Sequence, residues 1–264
     1  MKPLYIIKIG GNVIDNSQQL ALFLRDFAKL DGSKILIHGG GKIATQIAAD
    51  MGVKTQMVNG RRITDGDMLN VVTMVYGGLV NKNIVAQLQG VGVNAIGMTG
   101  ADANAIKAVK RPVKEVDFGF VGDLFPGSVN ADVLNKLLEI ELVPVFSALT
   151  HNGHGQLFNT NADTIASALA VGLSAHYETK LIYCFEKNGV MRDISNDSSV
   201  IEKISPSYFE ELKEQGIIAD GMLPKLQNAF DAITNGVKEV YIGHAGKLSD
   251  LNEGKAFGTC LSLS

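Results

Sequence analysis

Two lysines, far apart in the chain, stand where a lysine is uncomfortable. Lys8 lies near the end of the apolar run Leu4-Tyr5-Ile6-Ile7-Lys8-Ile9, which stops at Gly10-Gly11-Asn12 as a buried parallel strand stops at a ligand edge. A lysine there either snorkels to the sheet edge or meets an anion, and the glycines directly after it favour the anion. Lys225 follows Pro224 in the first turn of a helix that runs to about Asn235, where the helix dipole disfavours a cation. A lysine set against the local field implies negative charge beside it.

Between them in sequence, Ile35-Leu36-Ile37-His38-Gly39-Gly40-Gly41-Lys42 reads as strand, glycine turn and helix. Three glycines cost backbone entropy, and the return is close approach of bare N–H groups to an anion at a helix N-terminus; a plain tight turn is the alternative. Neither Gly-x4-Gly-Lys-Ser/Thr nor Gly-x-Gly-x-x-Gly is present. His38 reads as a strand-end histidine bonded to backbone rather than as a catalyst. A hairpin over 53–63, turning at Asn59-Gly60, delivers Arg61 and Arg62. Thr64 is positioned to cap the helix that follows, so the Arg62 guanidinium reaches the same sheet edge, where its planar fork suits a carboxylate. Arg61 reads equally well as a solvated hairpin arginine. At Phe158-Asn159-Thr160-Asn161-Ala162-Asp163, short polar side chains crowd a helix start. Asn161 is the cap, which leaves Asn159 and Asp163 to contact ligand or orient basic groups. His151 and His154 lack a third ligand nearby, so a glycine-rich hairpin tip explains them and no metal site is expected.

This set handles anions without an obvious general base. Phosphoryl transfer to an acceptor already ionised at neutral pH needs just such donors and cations, and a carboxylate, with pKa near ~4, requires no base.

The elements that carry these residues describe an α/β protein. The 264 residues, 46% hydrophobic and 19% charged, supply ample core and exclude disordered and collagen-like classes. A net charge of −3 argues against nucleic acid or an anionic membrane as the main partner. Cys184 and Cys260 make neither a disulfide framework nor a metal site and fit a reducing cytoplasm; there is no signal-peptide pattern and no transmembrane run. The first fifty residues form a β-α-β-α unit, with Ser17 capping a helix through Lys29. Residues 65–88 form a long helix with apolar positions on more than one stripe and Gly77-Gly78 at its middle. Such a helix needs partners on two sides, and a homodimer through it is expected; a glycine kink without a dimer is the alternative. Residues 106–122 alternate and carry Pro112, as antiparallel strands added to the main sheet would. A strand follows at 141–146. A second lobe begins near 177 with a strand over 180–185, a loop over 186–199, helices over 206–215 and 224–235, a strand over 239–243 and an edge strand over 257–261. The division is 1–176 and 177–264.

Lys8-Ile9-Gly10-Gly11, His38 to Gly41, Asn59-Gly60-Arg61-Arg62-Ile63-Thr64, Asn159 to Asp163 and Gly216 to Lys225 resemble, in order and spacing, the amino acid kinase family. The last three segments single out its acetylglutamate branch. The resemblance covers nearly the whole chain. It implies a three-layer αβα sandwich with a mainly parallel open sheet and two lobes, and ATP-dependent phosphorylation of the side-chain carboxylate of an N-acylated glutamate. Lys8 and Lys225 would stabilise the transferring phosphoryl group and Asp163 would hold them in place. Gly10, Gly11, Gly40 and Gly41 would offer N–H groups to phosphate and substrate, while Arg62 and Asn159 would bind the α-carboxylate and its neighbours. The second lobe would hold ATP through Glu186, Gly189, Ile217, Gly221 and Met222, with Mg²⁺ bridging its phosphates.

The chain also departs from that pattern. It reads Glu186-Lys187-Asn188-Gly189 where relatives often carry an Asp three residues before the glycine, and Cys184-Phe185 where they carry a small hydroxyl residue. Thr99 to Ala103 lacks a lysine and a glycine common among them. Only seven residues precede Lys8, so the N-terminal helix of arginine-inhibited hexameric relatives is not expected, and a homodimer insensitive to arginine is. A succinyl group on glutamate, another substrate of the family, and a non-catalytic amino-acid-binding module are the alternatives. Retention of both lysines argues against the last.

Overall fold

The computed structural model describes residues 1–193, 195–218 and 222–263. The first apolar run forms β1 (Pro3–Ile9), and its side chains alternate between faces. Leu4 and Ile6 enter one apolar layer, Ile7 and Ile9 the other. The same division holds in β2 (Ser33–His38), with Ile35 and Ile37 on one side and Leu36 on the other. Both faces are buried, so these strands read as continuous apolar runs.

Eight strands make the central sheet, in the order β12 (Lys203–Ile204), β14 (Thr259–Leu261), β13 (Glu239–His244), β11 (Glu178–Phe185), β1, β2, β8 (Val143–Ser147) and β5 (Ala95–Met98). Every neighbouring pair is parallel except β13 with β14. The 257–261 strand is therefore not the edge, because β12 pairs outside it. One face is covered by α1 (Gly11–Asp15), α2 (Ser17–Lys29), α3 (Gly41–Asp50), α4 (Gly66–Val72) and α5 (Asn81–Gly90). The other is covered by α6 (Ala131–Glu139), α7 (Ala162–Leu173), α8 (Pro206–Glu214) and α9 (Leu223–Thr234). The result is the expected αβα sandwich. Its sheet runs without a break across residue 176, since β11 pairs directly with β1. Among the described residues no helix is long and apolar enough to cross a membrane.

Several local expectations need correction. Asn16, not Ser17, caps α2, accepting from the N–H groups of Gln18 and Gln19, because residues 11–15 already form a short helix. Asp65, not Thr64, caps α4 by accepting from Met68 N at 2.9 Å. Thr64 is fully buried and its backbone pairs with Phe118 and Phe120. The long helix is continuous but changes type, with a π-helical stretch, Thr73–Val80, between α4 and α5. Residues 106–122 do not extend the main sheet. They contribute β6 (Val109–Lys110), which pairs with β7 (Gly122–Asp123) as a separate ribbon closed by an Arg111–Asp123 ion pair at 2.6 Å. Pro112 and short strand length leave too few ladder bonds for more. Two other small hairpins, β3 (Gln56–Val58) with β4 (Arg61–Ile63) and β9 (Leu149–His151) with β10 (Leu157–Asn159), complete the molecule.

Candidate active site

The site lies at the carboxyl ends of the parallel strands, where open α/β sheets bind ligands. Lys8 shares its face of β1 with Leu4 and Ile6, so it points toward α7. There Asn161 caps the helix by accepting from Thr164 N, and Asp163 occupies the first turn, where the dipole favours a carboxylate. Lys8 Nζ meets Asp163 Oδ1 at 2.7 Å, an ion pair without the alignment of a hydrogen bond. Tyr183, buried on β11, donates its hydroxyl to the Asp163 carbonyl at 3.3 Å. Burial first, and the Asp163 charge second, push its phenol far above the ordinary range.

Lys225 approaches the same point from the first turn of α9. Burial lowers its pKa; Asp163 opposes that shift and Lys8 adds to it. The ammonium groups of both lysines lie over one aromatic ring, that of Phe185, at 4.3 Å from its centroid for Lys225 and 5.1 Å for Lys8.

The glycine turn forms the facing wall. Gly40 adopts φ 142°, and a Cβ there would come within 3.2 Å of Tyr76 and Val80 on the π-helical stretch, so only glycine fits. Beneath it His38 is fully buried, and burial brings its pKa down to about 4, so the ring is neutral. Its Nδ1–H donates to Gly39 O at 2.8 Å, which leaves Nε2 to accept from Asn81 Nδ2 at 3.0 Å. Asn81 also donates to Val145 O at 2.9 Å. The strand-end histidine thus ties the turn to the first residue of α5.

Arg62, from β4, lies against the start of α3. Nη2 donates to Gly41 O at 2.9 Å and Thr45 Oγ1 at 2.8 Å, and Nη1 donates to Thr55 Oγ1 at 3.3 Å. Tyr76 also bonds to this guanidinium; its phenol is raised by burial, with Arg62 opposing.

A cleft of about 640 Å³ brings these walls together. It collects Lys8, Gly10, Gly11, Gly40, Gly41 and Arg62 from the first part of the chain, with Glu186, Gly189, Met222 and Lys225 from the second. Within it, Gly10 cannot act as a free donor, since its N–H is spent on Cys184 O at 3.1 Å; Gly11 opens α1 instead. At Gly189 a Cβ would meet Thr259 Oγ1 at 2.7 Å, so close approach requires the glycine.

Three expected contributors lie outside the cleft lining, among them Asp163, which reaches Lys8 but lines the neighbouring hollow between α7 and α9. Asn159 donates its amide to Thr64 Oγ1 at 3.0 Å, and Ile217 packs against the apolar layer of α8 and α9. Gly221 lies outside the described residues. His151 accepts from Gly153 N at the β9–β10 hairpin. Among the described residues no cluster of three or more His, Cys, Asp or Glu could hold a metal ion.

Some contributors escaped the sequence reading. Phe185 had a signal, because it continues the alternation of Leu181 and Tyr183 to the strand end where Lys8 also lies. Asn81 had one too, as a polar residue within a largely apolar helix. Lys42, which donates to Asn12 Oδ1 and lies 3.7 Å from Asp15, had the same signal as Lys225, a cation in a helix's first turn.

The profile of the Amino acid kinase family matches residues 3–244. An acetylglutamate kinase of Cytophaga hutchinsonii is 54% identical over 263 residues, covering 99% of each chain. One of Bacteroides thetaiotaomicron is 55% identical over 253 residues, covering 96% of this chain and 97% of that one. Among solved structures, smu.665 from Streptococcus mutans UA159 superposes with a TM-score of 0.75 at 27% identity, with 99% of both chains covered.

Proposed function

The chain belongs to the amino acid kinase family, and from that premise we propose that it transfers the γ-phosphoryl group of ATP to the side-chain carboxylate of N-acetyl-L-glutamate, a step of arginine biosynthesis. The observation that carries this reading is near-complete alignment, at more than half identity, with relatives named for that activity. The cleft supports it chemically. A carboxylate oxygen attacks the γ-phosphorus, the bond to the ADP oxygen breaks, and an acyl phosphate and ADP result. No proton moves, so the transfer needs no general base.

Lys8 and Lys225 stabilise charge on the transferred group, with Asp163 orienting Lys8. The N–H groups of Gly11 and Gly41 face phosphate and acceptor. Arg62 recognises the α-carboxylate of the acylated amino acid, and Asn159 supports that wall through Thr64. Glu186, Gly189 and Met222 bound the nucleotide, and residues 177–264 are its half of the molecule. Mg²⁺ bound with ATP would neutralise charge on its phosphates, and because no cluster of three or more His, Cys, Asp or Glu among the described residues is placed to hold the ion, the nucleotide would have to bring it. Two free cysteines, one of them buried, suit a cytoplasmic enzyme.

The partner surface is the long helix. Its π-helical stretch buries Val75, Tyr76 and Val80 but leaves Met74 and Leu79 about half exposed, an apolar strip for a second copy. Sedimentation at low micromolar concentration should give a homodimer; a monomer or a hexamer would remove this part of the reading.

A hydroxamate trap for acyl phosphate tests the activity, with ATP, Mg²⁺ and N-acetylglutamate, N-succinylglutamate, glutamate and aspartate as acceptors. Product is expected with N-acetylglutamate. No product with either acylated glutamate would falsify the assignment, and product with the succinyl compound alone would replace the acyl group.

A further inference from the structure

The ring of Phe185, the last residue of β11, occupies a demanding place. Two ammonium groups converge on it, and like charges in a partly buried cleft repel. Asp163 supplies one carboxylate, which is paired with Lys8 at 2.7 Å. The ring lies within cation–π range of both lysines, at 4.3 Å and 5.1 Å from its centroid. Tyr183, two residues earlier on the same strand, holds its ring nearly parallel to it, with centroids 6.2 Å apart and planes 17° apart. We infer that Phe185 is a positioning residue that holds the ammonium groups of Lys8 and Lys225 in the cleft through the negative face of its ring.

The chemistry explains why a ring suits this place better than a second acid. A carboxylate would also gather two cations, but it would carry a full negative charge into a site that must accept phosphates and an acidic amino acid. It would also accept the lysine N–H groups that phosphate oxygens need. An aromatic face attracts cations through its quadrupole with no net charge and no oxygen lone pairs. The lysines remain available as donors and the field of the cleft stays positive.

The inference rests on the reading of both lysines as phosphoryl-handling groups, and its test separates the two. Phenylalanine at 185 is replaced by its mono-, di- and trifluorinated forms, which weaken the π face stepwise at nearly constant size. At saturating substrates kcat should fall along the series, reaching about tenfold below the native protein, with KM for the acylated amino acid unchanged. Phe185→Leu should match the trifluoro form and Phe185→Tyr should stay with the native protein.

The second readout needs no turnover. The Cε resonance of isotope-labelled Lys225, assigned with Lys225→Arg, is titrated in each form. Around Lys225 stand Lys8 on β1, Asp163 on α7 and Phe185 on β11, with Glu186 and Lys187 also lining the cleft. These charged groups are constant through the series. The π face favours the ammonium, so weakening it should move the Lys225 midpoint to lower pH. A midpoint and a kcat that stay flat along the series overturn the inference while leaving the activity intact. A native protein that makes no acyl phosphate but shows the falling midpoint overturns the reading of the activity and leaves the role of the ring standing.

Discussion

The two sides of the cleft are held by different forces. On the Arg62 side, hydrogen bonds to Gly41 O, Thr45 and Thr55 fix the guanidinium, and His38 and Asn81 fix the glycine turn under it. On the lysine side, Lys8 and Lys225 are placed by the Asp163 charge and the Phe185 ring. Hydrogen bonds set orientation, whereas charge and quadrupole attractions set position with much looser angles. Under the proposed function the contrast is apt. A planar carboxylate must be recognised in one orientation, while a phosphoryl group changes geometry as it passes between oxygens. One wall is rigid before substrate arrives, and the other can follow the transfer.

The largest effect should come from the loosely oriented side. Lys8→Ala or Lys225→Ala should lower kcat by about 10²–10³-fold with little change in KM, read by coupled ADP release. A loss confined to KM for the acylated amino acid would erase the distinction between the walls. Next comes the rigid side, through pH. The folded pKa of His38, about 4, lies below its ordinary 6.5, so between these values the unfolded chain holds more protons than the native one. Stability should therefore fall as pH drops from 6.5 to 4, by about 3 kcal/mol in total. Urea melts across that range should show this slope in the native protein and lose it in His38→Asn; equal slopes would mean that the histidine does not hold the turn as a neutral ring.

Arg62→Ala removes charge-assisted hydrogen bonds worth about 1.5–3 kcal/mol together, so KM for the acylated amino acid should rise about 10- to 100-fold with kcat less affected. Initial rates against acyl substrate at saturating ATP decide this, and a change in KM for ATP alone would reassign the residue. The smallest effect sharpens the comparison from outside the cleft. Ser205 caps α8 by accepting from Tyr208 N at 3.2 Å, and Ser205→Ala should cost about 1 kcal/mol in thermal melts with no change in acyl-substrate KM.

Much of this was legible in sequence for identifiable reasons. Strands buried on both faces announce themselves as apolar runs, and Lys8 and Lys225 were visible because each violates its local environment. The Asn59-Gly60 turn was legible because Asn and Gly take most readily the positive φ values, 49° and 72°, found there. What sequence did not show were pairings between distant segments. Thr64 reads as a cap by spacing, yet its backbone ladder with residues 118–120 and the amide of Asn159 decide its role. The N–H of Gly10 reads as free, yet the neighbouring strand takes it. Helix type was equally hidden, since an apolar stretch with paired glycines gives no sign of a change from α to π.

That change sets a limit on chain length. In the Thr73–Val80 stretch the bonds reach five residues back rather than four, and the stretch ends where Asn81 begins its contacts with His38 and Val145. A π turn holds an extra residue relative to an α turn, so removing one, such as the unobstructed Gly78, would let the stretch close into ordinary α turns with Asn81 still at the histidine. A further deletion from that α-helix would rotate everything after it by about 100° and draw it back by about 1.5 Å. Asn81 would then leave the histidine and the turn would lose its anchor. The surface of this helix is open to substitution, but its residue count is bounded, so homologous chains that keep the glycine turn tied in this way should align through 73–81 with no more than a one-residue gap.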